Sequence, residues 1–306
     1  MSEIYHIPAM LKETIEGLNI KPEGVYVDVT FGGGGHSRAI LEKMRKMYKV
    51  QCTKDKGHLY SFDQDSDALQ NAIDDSKLTF VHSNFRYLRN WMDYYEVEHI
   101  DGLLADLGVS FHHFDCPERG FSFRFSAPLD MRMNQTAKRT AADIVNGYSE
   151  EDLAQLFWLY GELKNGRGIA RNICRARTQK AIERTEDLVA ASRIPAEMSK
   201  ELARLFQALR IEVNDEMGAL REMLVAARDL LKPGGRLAIL TYHSLEDRLV
   251  KNFMRSGNLE GTIEKDFYGN NLSPFEIIEK GRTACAEEVE NNPRSRSAKL
   301  RVAEKK

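Results

Sequence analysis

The sequence predicts an α/β fold with a mostly parallel, Rossmann-like sheet, and three observations support this prediction. An apolar strand over residues 25–29 is followed by a tetraglycine at 32–35 and then by apolar residues at helical spacing. Further apolar strands alternate with helical segments along the chain. Asp28, Asp63 and Asp106 each stand at or near the end of a predicted strand, where open α/β sheets line their ligand crevice.

The individual elements follow from their apolar patterns. After the glycine turn, a helix is predicted over residues 38–47, with Ser37 as its N-cap. The fourth strand is nearly all apolar, which is typical of a strand buried on both faces of a parallel sheet. The Pro-Gly-Gly at 233–235 ends a late helix before the sheet resumes. The strands after the first are predicted at 59–63, 78–82, 100–108, 236–243 and just before the C terminus.

The chain changes character after the fourth strand, where it becomes irregular and then helical and locally basic. We therefore predict a discontinuous domain over residues 1–110 and 212–306. An inserted, mainly helical substrate-recognition domain over 111–211 interrupts it, and this length is normal for a domain.

The charges near the strand ends favour a cationic ligand over a dinucleotide. Several carboxylates would repel a pyrophosphate, whereas S-adenosylmethionine offers a ribose diol, an amino group and a sulfonium cation. Asp63 ends the second strand, the position that binds a ribose diol in these folds; a helix-capping role is the alternative, since Asp65 and Asp67 follow. The glycine turn matches the dinucleotide fingerprint poorly, and a turn without a ligand is its own alternative.

Basic residues mark a candidate RNA-binding surface. Seven of them lie between residues 164 and 184, and Arg167, Arg171 and Arg175 form a stripe at four-residue spacing. A solvated charged face is the alternative. Phenylalanines interleave with arginines, among them Arg124 and Arg132, over residues 109–133. Such a segment suits stacking on unpaired bases, or else forms a loop whose phenylalanines pack on the core.

Composition excludes several classes of protein. The 306 residues carry a net charge of −2, so a nucleic-acid surface must be a local patch. The sequence shows no signal peptide and no apolar run of membrane-spanning length, and a cytoplasmic location is expected. The cysteines form no Cys-x-x-Cys pair. The adjacent His112 and His113 lack the usual spacing of metal ligands, so no metal is expected.

Seven features of the sequence, in the same order, resemble the bacterial ribosomal RNA small-subunit methyltransferase H family (MraW or RsmH), and the likeness spans essentially the whole chain. They are His6, TFGGGGHS at 30–37, DLGVS at 106–110, ERGFSF at 118–123, PLDMRM at 128–133, YHSLEDR at 242–248 and NPRSRS at 292–297. The resemblance implies a class I S-adenosylmethionine-dependent methyltransferase with an inserted domain. It implies N4-methylcytidine in the decoding region of the small-subunit (16S) rRNA as the product.

The resemblance also implies site residues and partners. The implied cofactor contacts are Gly34, Gly35, His36, Asp63, Phe85, Asp106 and His113, the last standing where the family has a glutamine. The acceptor of the amine hydrogen stays open among Asp106, Ser110 and His243. Candidate RNA contacts are Arg124, Arg132, Arg167, Arg171, Arg175, Arg294 and Arg296. The expected substrate is rRNA in the assembled small subunit, with the protein a monomer or homodimer.

The sequence is also compatible with two other functions. A nicotinamide-dependent oxidoreductase uses the same kind of sheet, and a non-catalytic RNA-binding protein would retain the basic surface without the chemistry.

Overall fold

The computed structural model describes residues 8–51, 57–109 and 116–306. The chain divides into two compact units, one of residues 1–108 with 218–306 and one of residues 109–217. The observed divisions thus fall after residues 108 and 217, beside the predicted divisions after 110 and 211. No helix in the described ranges is long and apolar enough to cross a membrane.

The first unit is built on one seven-stranded sheet, which confirms the predicted α/β fold class. Its strands are β1 (Val25–Asp28), β2 (His58–Asp63), β3 (Leu78–His82), β4 (Ile100–Asp106), β5 (Leu231–Thr241), β6 (Phe275–Thr283) and β7 (Lys299–Lys305). The order is β3-β2-β1-β4-β5-β7-β6. Strands β1 to β5 are parallel, and β7 lies antiparallel between β5 and β6. Because β1 pairs with β2 on one side and β4 on the other, the ligand crevice is expected at the carboxyl ends of β1 and β4.

The described residues form eleven α-helices, numbered here along the chain. They are α1 (Leu11–Gly17), α2 (Gly35–Gln51), α3 (Leu88–Tyr94), α4 (Ala141–Gly147), α5 (Glu150–Leu159), α6 (Gly166–Arg177), α7 (Thr185–Ser192), α8 (Ser199–Asn214), α9 (Glu216–Leu230), α10 (Ser244–Ser256) and α11 (Ala286–Asn291). Ser149 caps α5, since its side chain accepts a hydrogen bond from the backbone N–H of Asp152.

The core of the first unit joins α2 to the sheet. Ile40 and Met44 of α2 are fully buried and belong to one cluster with Leu59 of β2 and Leu104 of β4. The helical spacing of the two α2 residues therefore predicted the buried face of the helix.

The second unit has a helical core of its own. Leu153 and Phe157 of α5, Ile169 and Ile173 of α6, and Leu205 of α8 are all buried in one cluster. Ile169 and Ile173 point into this cluster, and Arg167, Arg171 and Arg175 on the other side of α6 are exposed.

Two local predictions were wrong. Ser37 does not cap α2: the helix starts at Gly35, and the Ser37 hydroxyl is buried. The fifth strand does not start after the Pro-Gly-Gly. Leu231 already pairs with Ile100, and the register then shifts so that the next pair is Arg236 with Gly102. Residues 232–235 thus form an irregularity within the strand rather than a break before it.

Candidate active site

The glycine turn between β1 and α2 is closed by backbone hydrogen bonds. The backbone N–H of Gly34 donates to the carbonyl of Phe31 at 2.7 Å, and that of Gly32 donates to Asp63 Oδ2 at 2.8 Å. Gly34 has φ +73°, and a Cβ there would lie 2.8 Å from the Phe31 ring. Gly32 has φ +51°, with no atom within 4 Å of its would-be Cβ. The turn therefore requires glycine at Gly34 and leaves open space beside Gly32.

Asp63 ties the end of β2 to this turn. Besides the bond from Gly32, its Oδ1 accepts the backbone N–H of Asp65 at 2.9 Å. Asp65 is the residue that caps the 3₁₀-helix Ser66–Asn71, accepting from the N–H of Asp67 at 3.0 Å. The helix-capping role considered for Asp63 thus belongs to Asp65. Asp63 remains half-buried at the carboxyl end of β2.

Asp28 was predicted to stand at the ligand crevice, but no contact was predicted for it. It is fully buried at the end of β1, where it accepts from Ser37 Oγ at 2.7 Å and from the N–H of Thr30 at 3.1 Å. Ser37 Oγ also lies 2.8 Å from Ser61 Oγ of β2. Burial raises the pKa of Asp28 to about 6, against the opposing hydrogen bonds from Ser37 and Thr30. The Ser37 hydroxyl thus links the start of α2 to β1 and β2.

Asp106, at the end of β4, is held by three different elements. Its backbone N–H donates to Thr30 Oγ1 at 2.6 Å, and its Oδ1 accepts from the Tyr242 hydroxyl at 2.7 Å. Its Oδ2 lies 3.7 Å from Nδ1 of His36. Burial raises the pKa of Asp106 to about 7; the Tyr242 hydrogen bond opposes this rise, and the charges of Asp28 and Glu246 add to it. Its carboxyl group therefore exchanges a proton near neutral pH.

Tyr242 opens the YHSLEDR motif, but its role in the site was not predicted. Burial and then the charge of Asp106 hold the pKa of its phenol well above the ordinary value. The phenol therefore stays neutral and donates to Asp106 across the physiological range. Tyr242 stands directly after β5, the strand adjacent to β4, so the carboxyl edge of the sheet brings the two side chains together.

Two further predicted site residues, His243 and Phe85, lie at the starts of helices. His243 is the N-cap of α10: its Nδ1 lies 3.5 Å from the N–H of Glu246, and its Nε2 lies 3.0 Å from Glu246 Oε1. Phe85 opens the 3₁₀-helix Phe85–Tyr87 just after β3 and is half-buried. Ser110 and His113 lie outside the described residues.

These groups fit S-adenosylmethionine on chemical grounds. Carboxylates at the carboxyl ends of β1, β2 and β4 suit a ligand with hydroxyls, an ammonium and a sulfonium. The open space at Gly32 lets a ligand approach the backbone. Asp63, Gly34, Gly35 and His36 stand around this turn and would hold the group there.

Comparison with known proteins decides the family. A family model described as the MraW methylase family matches residues 3–306. The chain belongs to the MraW methylase family. It is 57% identical over 308 residues to the ribosomal RNA small subunit methyltransferase H of Phocaeicola vulgatus, covering 99% of this chain and 98% of that protein. It is 58% identical over 306 residues to the protein of that name in Parabacteroides distasonis, covering 98% and 97%.

A solved methyltransferase homolog from Pyrococcus horikoshii covers 100% of this chain and 71% of its own, with 13% identity and a TM-score of 0.44. As a member of the MraW methylase family, the chain is an S-adenosylmethionine-dependent methyltransferase. This replaces the two alternatives, the nicotinamide-dependent oxidoreductase and the non-catalytic RNA-binding protein.

The arginines of the candidate RNA surface fall into two groups in this MraW-family chain. Arg167, Arg171 and Arg175 are exposed along α6, and Arg171 makes one long ion pair, 3.4 Å, with Glu150. Arg124 is also exposed, but both Arg132 Nε and Nη2 bond to Asp130, at 2.8 and 2.7 Å. The guanidinium of Arg132 therefore braces its own loop and is a weaker candidate for RNA contact.

The two remaining arginine candidates lie in the first unit, and two phenylalanines of the 109–133 segment pack in the core of the second. Arg294 and Arg296 lie in the 3₁₀-helix Pro293–Ser297, where Arg296 is exposed. Phe121 is buried, and Phe123 packs edge-on to Phe206 with ring centroids 5.6 Å apart. For these two rings the loop packs on the core, as the alternative to base stacking foresaw.

Proposed function

We propose that this chain transfers a methyl group from S-adenosylmethionine to the exocyclic N4 amine of a cytidine in the decoding region of small-subunit rRNA. We place the reaction in the cytoplasm, on the assembled small subunit. The observation that carries the proposal is Asp106, a carboxyl that titrates near neutrality at the carboxyl end of β4. The names of the 57–58% identical relatives support the choice of substrate.

The cofactor is held by the residues around the glycine turn. Asp63 accepts from the ribose hydroxyls, because its carboxylate is a half-buried acceptor at the carboxyl end of β2, beside the glycine turn. Phe85 packs against the adenine. Gly34 and Gly35 let the backbone approach the methionine part of the cofactor, and His36 shapes this part of the site.

The chemistry demands positioning and a proton acceptor. S-adenosylmethionine supplies the methyl group as a carbon activated by the sulfonium. The lone pair of the cytosine N4 amine is delocalised into the ring, so the protein must hold this nitrogen within about 3–3.5 Å of the methyl carbon and in line with it. The base must be unpaired or flipped to reach the site. As the N–C bond forms, the bond between the methyl carbon and sulfur breaks and leaves S-adenosylhomocysteine, and the nitrogen has to lose one hydrogen as a proton.

Asp106 is the acceptor that we assign to this hydrogen. Its Oδ1 is engaged by Tyr242, so the proton goes to Oδ2. A base with a pKa near the working pH is well matched to this task. His243, by contrast, is tied to Glu246 at the start of α10.

Transfer of labelled methyl groups to small ribosomal subunits tests the proposal. We expect label in a cytidine of the rRNA when the subunits come from a strain that lacks the enzyme. Small subunits from the parent strain, which has the enzyme, are already methylated and should accept little label. They serve as the control. Label confined to protein, or no label, contradicts the proposed substrate.

Replacing Tyr242 by phenylalanine should move the pH dependence of kcat/KM to higher pH. The rate of the parent enzyme should rise with pH until Asp106 is ionised, near its pKa of about 7. The lost hydrogen bond stabilises the ionised carboxylate, and bonds to charged groups are worth about 1.5–3 kcal/mol, or about 1–2 pH units. An unchanged midpoint contradicts the role of Asp106 as the base.

Replacing Arg167, Arg171 and Arg175 together by alanine should weaken RNA binding without affecting the cofactor. Three lost phosphate contacts should lower the slope of log K against log salt by about 2–3. Binding to small-subunit rRNA over a salt series measures this, and titration with S-adenosylhomocysteine checks the cofactor site.

A matched control removes the same charge from residues already paired to acids. Lys46, Arg89 and Arg282 are exposed and paired with Glu42, Asp93 and Glu13, and none of them belongs to the basic segment at 164–184. Their triple alanine variant should keep most of the affinity. An equal loss in both variants means that the α6 stripe is only a solvated face.

A further inference from the structure

Two aromatic side chains lie almost fully exposed on the loop between α10 and β6. Phe267 is 98% exposed and Tyr268 86%, and their rings meet edge to face with centroids 5.6 Å apart. Single exposed apolar residues are ordinary, but two adjacent rings forgo a large amount of burial. Because the two rings bury almost no apolar surface in the first unit, their faces are available to a partner.

The turn that carries these rings is rigidly built. The Asp266 carboxylate accepts from the backbone N–H of Tyr268 and Asn270 and from Asn270 Nδ2, each at 2.8 Å. The backbone closes between Asp266 N and Asn270 O at 3.0 Å, and Gly269 takes φ +86°. Because the turn is fixed before any partner arrives, binding costs little conformational entropy.

Two cations lie beside this turn. The loop returns along the end of α10, where Asn271 Nδ2 bonds to the carbonyl of Arg255 and Gly261 approaches Asn252. Lys251 and Arg255, one helical turn apart on α10, are exposed and form no ion pair with any carboxylate of the described chain. Positive charge and exposed rings therefore share one surface, here called the aromatic turn: Lys251, Arg255, Phe267 and Tyr268.

The aromatic turn lies at the end of the sheet opposite the reaction site. The loop enters β6 at Phe275, which pairs with Lys305 of β7. The neighbouring Glu304 pairs with Arg236 of β5, which pairs in turn with Gly102 near the amino end of β4. Asp106 ends β4 four residues beyond Gly102, about 13 Å along the strand, and β6 lies three strands from β4, about 14 Å across the sheet. A base bound at Asp106 therefore cannot also contact Phe267.

We propose that the aromatic turn is a second RNA-binding site, which stacks unpaired bases of the substrate RNA remote from the methylated base. The faces of the two rings suit stacking, and Lys251 and Arg255 suit the flanking phosphates. Glu260 and Glu264 are exposed on the first arm of the loop, which confines phosphate contacts to the α10 side. The inference rests on the proposed function, because it requires an RNA large enough to reach both sites.

A double variant, Phe267→Ala with Tyr268→Ala, tests the aromatic turn. Its affinity, with S-adenosylhomocysteine bound, should fall about tenfold or more for small subunits and for full-length protein-free small-subunit rRNA. Affinity for a short RNA with only the target nucleotides should not change, nor should that for S-adenosylhomocysteine. Tyr94→Ala removes a ring that is 73% exposed on α3 and should leave every affinity unchanged.

The other outcomes each overturn the proposal in a distinguishable way. Unchanged affinity for both large substrates removes the second site and leaves the proposed function intact. A loss with subunits but not with protein-free rRNA means that the partner is a ribosomal protein. An equal loss with the short RNA means that the rings act on the target itself. A parent protein that neither binds nor methylates subunits refutes the proposed function, and the second site with it.

Salt dependence gives an independent reading. Lys251→Ala and Arg255→Ala should each lower the slope of log K against log salt by about one for full-length rRNA. Unchanged slopes contradict phosphate contact at the aromatic turn.

Discussion

Replacing Asp106 by asparagine is expected to lower kcat by about 10²–10⁴-fold, the usual contribution of a general base. The amide keeps the shape of the side chain, and its oxygen can still accept from the Tyr242 hydroxyl, but it cannot take a proton from the amine. Single-turnover methyl transfer to small subunits measures the effect. Affinity for S-adenosylhomocysteine, measured on the same variant, separates the loss of chemistry from the loss of the cofactor contact that the family resemblance implies for Asp106.

The thermal stability of the Asp106→Asn variant checks that its fold is intact, and the direction of the expected change follows from the pKa. Because the pKa of Asp106 is raised from 3.8 to about 7 in the folded protein, its contribution to stability is present at low pH and is lost as pH rises between these values. Asparagine has no such loss, so the variant should melt no lower than the parent at pH 8. If the variant is folded and its rate stays within threefold of that of the parent enzyme, Asp106 is not the proton acceptor.

Replacing Asp63 by alanine should weaken S-adenosylhomocysteine binding by about a hundredfold. Two hydrogen bonds from ribose hydroxyls to a carboxylate are worth about 3 kcal/mol or more together, and each 1.4 kcal/mol is a factor of ten. The change also removes the acceptor of the Gly32 N–H and so loosens the glycine turn. Calorimetric titration of the variant gives the affinity directly.

Asp65→Ala is the matched control for Asp63. It removes a neighbouring, buried carboxyl that caps the 3₁₀-helix Ser66–Asn71 and has no assigned cofactor contact. We expect lower stability by about 1 kcal/mol, the usual worth of a cap, with little change in cofactor affinity. If both variants lose affinity equally, Asp63 acts through loop structure and not through the ribose.

The sheet and its acids were predictable because their signals are local. An apolar strand can be recognised from its own residues, and the acid that follows it lies at the carboxyl edge once the strands are parallel. Asp28, Asp63 and Asp106 thus reached the same edge of the sheet, as expected. The β6 strand, Phe275–Thr283, was missed because it alternates with charge on an outer edge and carries two register shifts.

The contacts that tune the site were not predictable, because they join distant parts of the chain. The hydrogen bond of Tyr242 to Asp106 spans 136 positions, and only the pairing of β4 with β5 brings the two residues together. Ser37 resembled a cap because serine favours that position, but its hydroxyl is drawn to the buried Asp28. Arg132 looked available for RNA until the fold set it against Asp130.

Nucleoside mass spectrometry of the small-subunit rRNA tests the central claim most directly. Small subunits from a strain without the enzyme are incubated with the protein and S-adenosylmethionine, and their rRNA is digested to nucleosides. The proposed reaction predicts the appearance of N4-methylcytidine, and its absence with the Asp106→Asn variant. A methyl group on carbon 5 of the cytosine, on the ribose or on another base would contradict the account.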